Sequence, residues 1–163
     1  MSTPLGHSIV GYTLARIAGV KSPGAMALAV GAANLPDVDL LLGYVANGDL
    51  FSLHHEVITH KPPFPLLVGA GVGALSAAVS VARGRKPRVT DIVRPAALAT
   101  ALVGSHVVMD RLPMPYDNMP LRAASFWEAV VSQAWNAVID MASYGTLAAM
   151  LFERGPNGRR AEA

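Results

Sequence analysis

Asp37 and Asp39 stand one residue apart in "NLPDVDLLLG" (34–43), two acids in an otherwise apolar run. Three histidines follow within seven residues, His54, His55 and His60, and a fourth, His106, precedes Asp110 by four. His7 lies near the start of the chain. Imidazole and carboxylate are good ligands for zinc, manganese or iron. Carboxylates can also bridge two ions, and ions about 3.5–4 Å apart suit hydrolysis of a phosphoester or amide. There is no cysteine, so neither a thiolate site nor a disulfide framework is available. The candidate ligands are therefore His7, Asp37, Asp39, His55, His60, His106 and Asp110, with Asp37, Asp39 and Asp110 as candidate catalytic groups. They suffice for one or two divalent ions, zinc first and manganese or iron next, with positions left open for water.

Each piece alone has a plainer reading. His7 could cap a helix or lie on the surface, and Asp39 could cap the segment beginning at Leu40. The 54–60 histidines could form an exposed loop. His106 and Asp110 share a helical face and could be a structural pair, although ionisable groups in an apolar segment usually have a partner or a function. The combination is more specific than any member.

The elements that must position these residues read as helices. Ser2 or Thr3 with Pro4 opens a helix over 5–18, and Ser22-Pro23 opens another over 23–33. The Leu35-Pro36 step ends the second, because the residue before proline disfavours the helical region. Residues 36–39 read as an irregular turn, and 40–46 as a short helix ending at Asn47-Gly48. Residues 64–82 carry no charge and would rise about 28 Å as a helix, close to a hydrocarbon core. Gly69, Gly73 and Ala77 at four-residue spacing would let that helix pack closely in lipid. Thr90 or Asp91 can cap a further helix over 92–110, and a last one runs over 125–152. No strand pattern or internal repeat is present. The expected fold is all-α, a bundle of five to six helices in one domain, 1–153, followed by a flexible basic tail, 154–163.

If consecutive helices run antiparallel, the histidines and the key carboxylates meet at one end of this bundle. Arg16, Lys21, Arg83, Arg85, Lys86, Arg88, Arg94, Arg154, Arg159 and Arg160 fall at the other, and only Lys61, Arg111 and Arg122 break the segregation. The positive-inside rule puts the basic end in the cytoplasm.

Composition agrees with a membrane setting. Hydrophobic residues make up 52% of the 163 and charged residues 15%, against about 25% charged in soluble domains. The net charge of +2 gives no ground for nucleic-acid binding. The first ten residues lack the basic and apolar regions of a cleaved signal.

Four motifs also carry a resemblance: "LGHSIVGYTLA", "NLPDVDLL", "HHEVITHKPPF" and "GSHVVMDRLPMPYDNMPLRAASF". In order and kind, over residues 5 to 126, they resemble the small bacterial LexA-binding, inner membrane-associated metal-dependent hydrolases. That family shows an N-terminal His, a "lPDhDh" segment, an "HRxxTH" segment, and an "H…D" helix before a "PYG" loop. The resemblance implies a metal-dependent hydrolase of the bacterial inner membrane, with His55 and His60 as the "HRxxTH" pair and His54 as a neighbour or substitute. Through the family's distant likeness to zinc-dependent phospholipases C and single-strand nucleases, it also implies phosphoester chemistry. Glu56 stands where the family has Arg, and Asp117 follows Tyr116 where the family has Gly. Glu56 reads as a solvated acid, or else as a ligand or base in place of the lost Arg.

The expected function is thus a membrane-associated hydrolase acting on a small-molecule or lipid phosphoester. The alternatives are a non-enzymatic metal-binding membrane protein, serving sensing, transport or structure, and an adaptor for a protein regulator, which the family name suggests. Asp140, four residues after Asn136, reads as an interhelical or surface hydrogen-bonding group that could also support the site.

Overall fold

A computed structural model describes residues 3–54, 56–111 and 126–153, less the side chains of 126–133, 135, 150 and 153. Among these residues the chain is all-α. It comprises α1 (Pro4–Ile17), α2 (Pro23–Ala33), α3 (Val38–Asn47), α4 (Pro63–Ala82), α5 (Val89–Met109) and α6 (Phe126–Glu153), with 3-10 turns at Leu35–Asp37 and Ile58–His60.

Two starts are drawn by capping residues visible in the sequence. The Thr3 hydroxyl accepts from the Gly6 N–H and the Ser22 hydroxyl from the Ala25 N–H, each ahead of a proline in the first helical turn. Two boundaries differ from expectation. Residues 36–39 are not an irregular turn. Pro36 ends α2 because it has no N–H to donate, yet proline suits a first turn, so the chain passes through Leu35–Asp37 straight into α3. α5 begins at Val89, and neither Thr90 nor Asp91 caps it. Asp91 instead accepts from Arg88 Nε and Nη2, at 3.0 and 3.2 Å.

α4 and α5 form an antiparallel hairpin, each long and apolar enough to cross a membrane. Their contact is made by missing side chains. A Cβ at Gly69 would collide with Thr100 Oγ1 and lie 2.8 Å from the Ala96 carbonyl oxygen, and one at Gly73 would lie 3.2 Å from Ala96 Cβ. α1 and α2 meet in the same way, with Gly11 against Ala33. The pair α2 and α3, bent by 58° at the Leu35–Asp37 break, passes the same length and composition test as one broken span.

The distribution of apolar side chains is inverted relative to a water-soluble protein. The central core is Ala15, Ala29, Ala33 and Leu102. Leu28, Leu66 and Leu75 are 77%, 65% and 64% exposed. Small residues inside with large ones outside is the arrangement that lipid favours, because a tail solvates leucine as well as a protein core does.

α6 is tied to α1 by a buried carboxylate. Asp140 Oδ2 accepts from the Thr3 N–H at 2.6 Å and from the Thr3 hydroxyl at 2.5 Å. Tyr12 and Phe152 meet edge to face further along, so this stretch of α6 runs parallel to α1. At the far end Arg94 donates to the Ala18 carbonyl at 2.8 Å, placing the start of α5 beside the end of α1. The basic residues Arg16, Lys21, Arg83, Arg85, Lys86, Arg88 and Arg94 accordingly lie at that end. Arg122, Arg154, Arg159 and Arg160, and the whole 154–163 tail, lie outside the described residues.

Replacing Gly69 with Val should lower stability by about 1–3 kcal/mol, the cost of overpacking a close contact. Gly71→Val should be neutral, since nothing lies within 4 Å of a Cβ there. Thermal unfolding of the two variants in the same detergent checks the pair.

Candidate metal centre

Four segments deliver ionisable side chains to one end of the bundle. His7 comes from the first turns of α1, and Asp37 from the break between α2 and α3. His60 ends the turn before α4, and His106 and Asp110 close α5. The antiparallel arrangement expected from the sequence brings them together.

Hydrogen bonds set the tautomer of His106. Its Nδ1 lies 2.7 Å from the Ala33 carbonyl oxygen, which only accepts, so Nδ1 carries the proton. That carbonyl is free because α2 stops. In a continuous helix it would accept from residue 37, but the Asp37 N–H bonds to the Asn34 carbonyl instead. His60 is oriented similarly, with Nδ1 2.7 Å from Asp39 Oδ2. In their neutral forms both rings then present a bare Nε2 to the same point, and the two Nε2 atoms are 3.2 Å apart.

Carboxylates complete the convergence. Asp110 Oδ2 lies 3.1 Å from both His60 Nε2 and His106 Nε2. Asp37 Oδ1 is 3.3 Å from His106 Nε2, and His7 Nε2 is 3.3 Å from Asp110 Oδ1. The His7 ring stacks on that of His106 at a centroid distance of 3.5 Å. Five acceptors at such spacing repel one another unless positive charge lies among them. Ligands bound at about 2.1 Å to one ion stand about 3.0–3.4 Å apart, the spacing of these pairs, although the mutually close set is His7, Asp37, His106 and Asp110, with His60 beside it. Two further signs fit an ion: buried His7 Nε2 and Asp37 Oδ2 make no hydrogen bond.

Asp39 faces away from this point. Its carboxylate is fully buried and accepts from Thr59 Oγ1 at 3.1 Å, besides contacting His60 Nδ1 and, through Oδ1, His54 Nδ1 at 2.9 Å. It does not cap α3, as the sequence had allowed; burial among hydrogen-bonding partners holds it inside instead. Asp37, Asp39, His54 and His60 also form a second four-residue group of possible ligands beside that of His7, Asp37, His106 and Asp110, with Asp37 common to both.

Among the sequence candidates, His7, Asp37, Asp39, His60, His106 and Asp110 are brought together. His55 lies outside the described residues, as do Tyr116 and Asp117. His54, read as a neighbour or substitute, is in the cluster. Its signal was the doubled histidine, but no spacing rule says which of two adjacent residues in a turn faces inward. Glu56 is exposed, in keeping with a solvated acid. Asp140 makes the interhelical bond described above, and is fully buried rather than at the surface.

The model of one protein family, YdjM inner membrane protein, matches residues 1–149. The chain belongs to that family. It is therefore an inner membrane protein, in accord with the two helices long enough to span and with its outward-facing leucines. The match covers every residue of the cluster. No curated protein and no solved structure matches the chain.

Burial lowers the pKa of His60, but its hydrogen bonds to Asp110 and Asp39 outweigh that and hold it up to about 9. Without an ion, His60 therefore stays protonated at neutral pH, and its proton competes with a cation for Nε2. Affinity for a divalent ion should rise with pH and level off above about 9, with net proton release on binding at pH 7. Calorimetry in buffers of different ionisation enthalpy measures that release.

Proposed function

We propose that His7, Asp37, His60, His106 and Asp110 hold one or two divalent ions, zinc first and manganese or iron as alternatives, in a hydrolase of membrane phosphoesters. The observation that carries the reading is the meeting of three imidazole Nε2 atoms and two carboxylates at ligand spacing, with the far nitrogens of His60 and His106 engaged by a carboxylate and a backbone carbonyl. Such support fixes ring orientation and raises ligand basicity.

When bound, the ion supplies Lewis acidity and brings the pKa of a coordinated water towards neutrality. The residues do the rest. Asp39, held by Thr59, keeps His60 turned inward and stabilises positive charge on its ring. Asp37 is the most accessible of the carboxylates, 13% exposed against 2% for Asp110 and 0% for Asp39. As the most accessible carboxylate, Asp37 is the group to take a proton from an attacking water, so the reacting face lies on its side of the cluster.

The substrate class follows from what surrounds the mouth. α3 begins at the cluster and exposes Val38, Leu41, Leu42 and Val45, an i, i+3, i+4, i+7 stripe. With α4 starting and α5 ending at the same level, that stripe lies against the membrane boundary, where the phosphoester of a lipid headgroup sits. The positive-inside rule puts this end outside the cytoplasm.

A second reading has its own observation. His7 and His106 side chains are 0% exposed and His60 4%, the closure typical of an ion held for structure or transport. Elemental analysis of the purified protein, then assays of generic phosphomonoesters and phosphodiesters with and without chelator, separates the two. The hydrolase reading expects one or two ions per chain and chelator-sensitive cleavage. Stoichiometric metal with no cleavage favours the second reading, and no metal after zinc or manganese supplementation defeats both.

Asp37→Ala and Asp110→Ala should each abolish metal binding, and Asp39→Asn should weaken it about 10–100-fold by releasing His60. Full occupancy in either alanine variant would falsify the ligand assignment.

A further inference from the structure

The opposite end of the α4–α5 hairpin carries a feature that the metal centre does not use. A cavity of about 590 Å³ opens there, walled by Val72, Leu75 and Val79 of α4 and by Pro95 of α5. Four arginines ring its mouth, Arg83, Arg85, Arg88 and Arg94, and Asp91 is its one acid. Asp91 is paired with Arg88, and Arg94 is bonded to the Ala18 carbonyl. Among the described residues, Arg83 and Arg85 make no salt bridge and project as exposed cations just past the end of α4.

We infer that this groove is a binding site for an anionic phospholipid. Charge and depth point to the same occupant. From Val72 to Arg83 is eleven residues of helix, about 16 Å along the axis, enough for a glycerol backbone and the upper part of an acyl chain. The wall over that depth is apolar and belongs to a helix that faces lipid. Ser76 and Ser80 also line the groove, but their hydroxyls are spent on backbone carbonyls, of Asp91 at 2.6 Å and of Ser76 at 3.0 Å, so the wall offers little to a polar solute. Guanidinium groups at the rim match a phosphodiester with two donors each, and several together discriminate an anionic headgroup from a zwitterionic one. A soluble anion would find the same arginines but would gain nothing from the apolar wall. With the basic end cytoplasmic, the lipid is drawn from the inner leaflet, so this site and the metal centre lie at opposite faces of the membrane.

The test is native mass spectrometry of the full chain in detergent, titrated separately with phosphatidylglycerol, phosphatidylcholine and inorganic phosphate. Phosphatidylglycerol should be retained at least tenfold more strongly than phosphatidylcholine, and a tenfold excess of phosphate should not displace it. The double variant R83Q/R85Q should lose at least fivefold in phosphatidylglycerol retention. K86Q, in the same loop but outside the groove, should change it by less than twofold. Both substitutions are at exposed positions, and an unchanged thermal midpoint shows that the fold is kept. The inference is overturned if K86Q costs as much as R83Q/R85Q, which would make the effect diffuse loop charge. It is equally overturned if phosphate displaces the lipid, which would make this a plain anion site, or if neither variant alters retention.

Discussion

One bond organises the acidic end of the molecule: His106 Nδ1 donating to the Ala33 carbonyl. It fixes the tautomer, which fixes the direction of the lone pair on Nε2, and the other donors are arranged around that direction. The bond requires a helix that stops at a chosen residue. Pro36 enforces the stop, and the turn through Leu35–Asp37 consumes the Asp37 N–H that would otherwise claim the carbonyl. The same three residues thus free an acceptor for one ligand and deliver Asp37 as another. Asn34 secures the turn from behind, donating to Ser8 Oγ at 3.0 Å and to the Val30 carbonyl at 2.9 Å.

The second constraint is steric and concerns how closely helices approach. A core of alanines and glycines contributes little by hydrophobic transfer, and in lipid it need not. Gly11 against Ala33 brings α1 close to α2, and Gly69 against Thr100 brings α4 close to α5, so the segments that carry the donors converge on one small cluster. With larger residues there, His7 and His106 could not stack, and the donors would be spread beyond a shared centre.

The sequence made the helices legible because their starts are marked by Thr3-Pro4 and Ser22-Pro23, and their spans by long uncharged runs. The convergence of four segments was also legible, since short connections force antiparallel neighbours. The individual role of each acid was not. Asp37 and Asp39 look equivalent in "PDVD", yet one faces the centre and the other the back of His60. The difference lies in whether the chain leaves Pro36 as a turn or as a helix, which a two-residue shift of a boundary decides. His54 and His55 posed the same difficulty, because adjacent residues in a turn point apart and no periodicity selects between them. Asp140 was hidden for another reason: its partner, Thr3, is 137 positions away, and no local pattern encodes so distant a bond.

The wide separation of the donors along the chain has a consequence for how the protein is made. His7 and Asp37 leave the ribosome long before His106 and Asp110, and until α5 is inserted the two early groups have only part of their final company. A chain arrested after α4 would therefore hold acids and imidazoles near lipid without His106 and Asp110 to meet them, which is energetically costly. The cluster is thus completed by one helical turn, His106 to Asp110, at the end of α5, and α6 follows to close on α1 through Asp140 and Thr3.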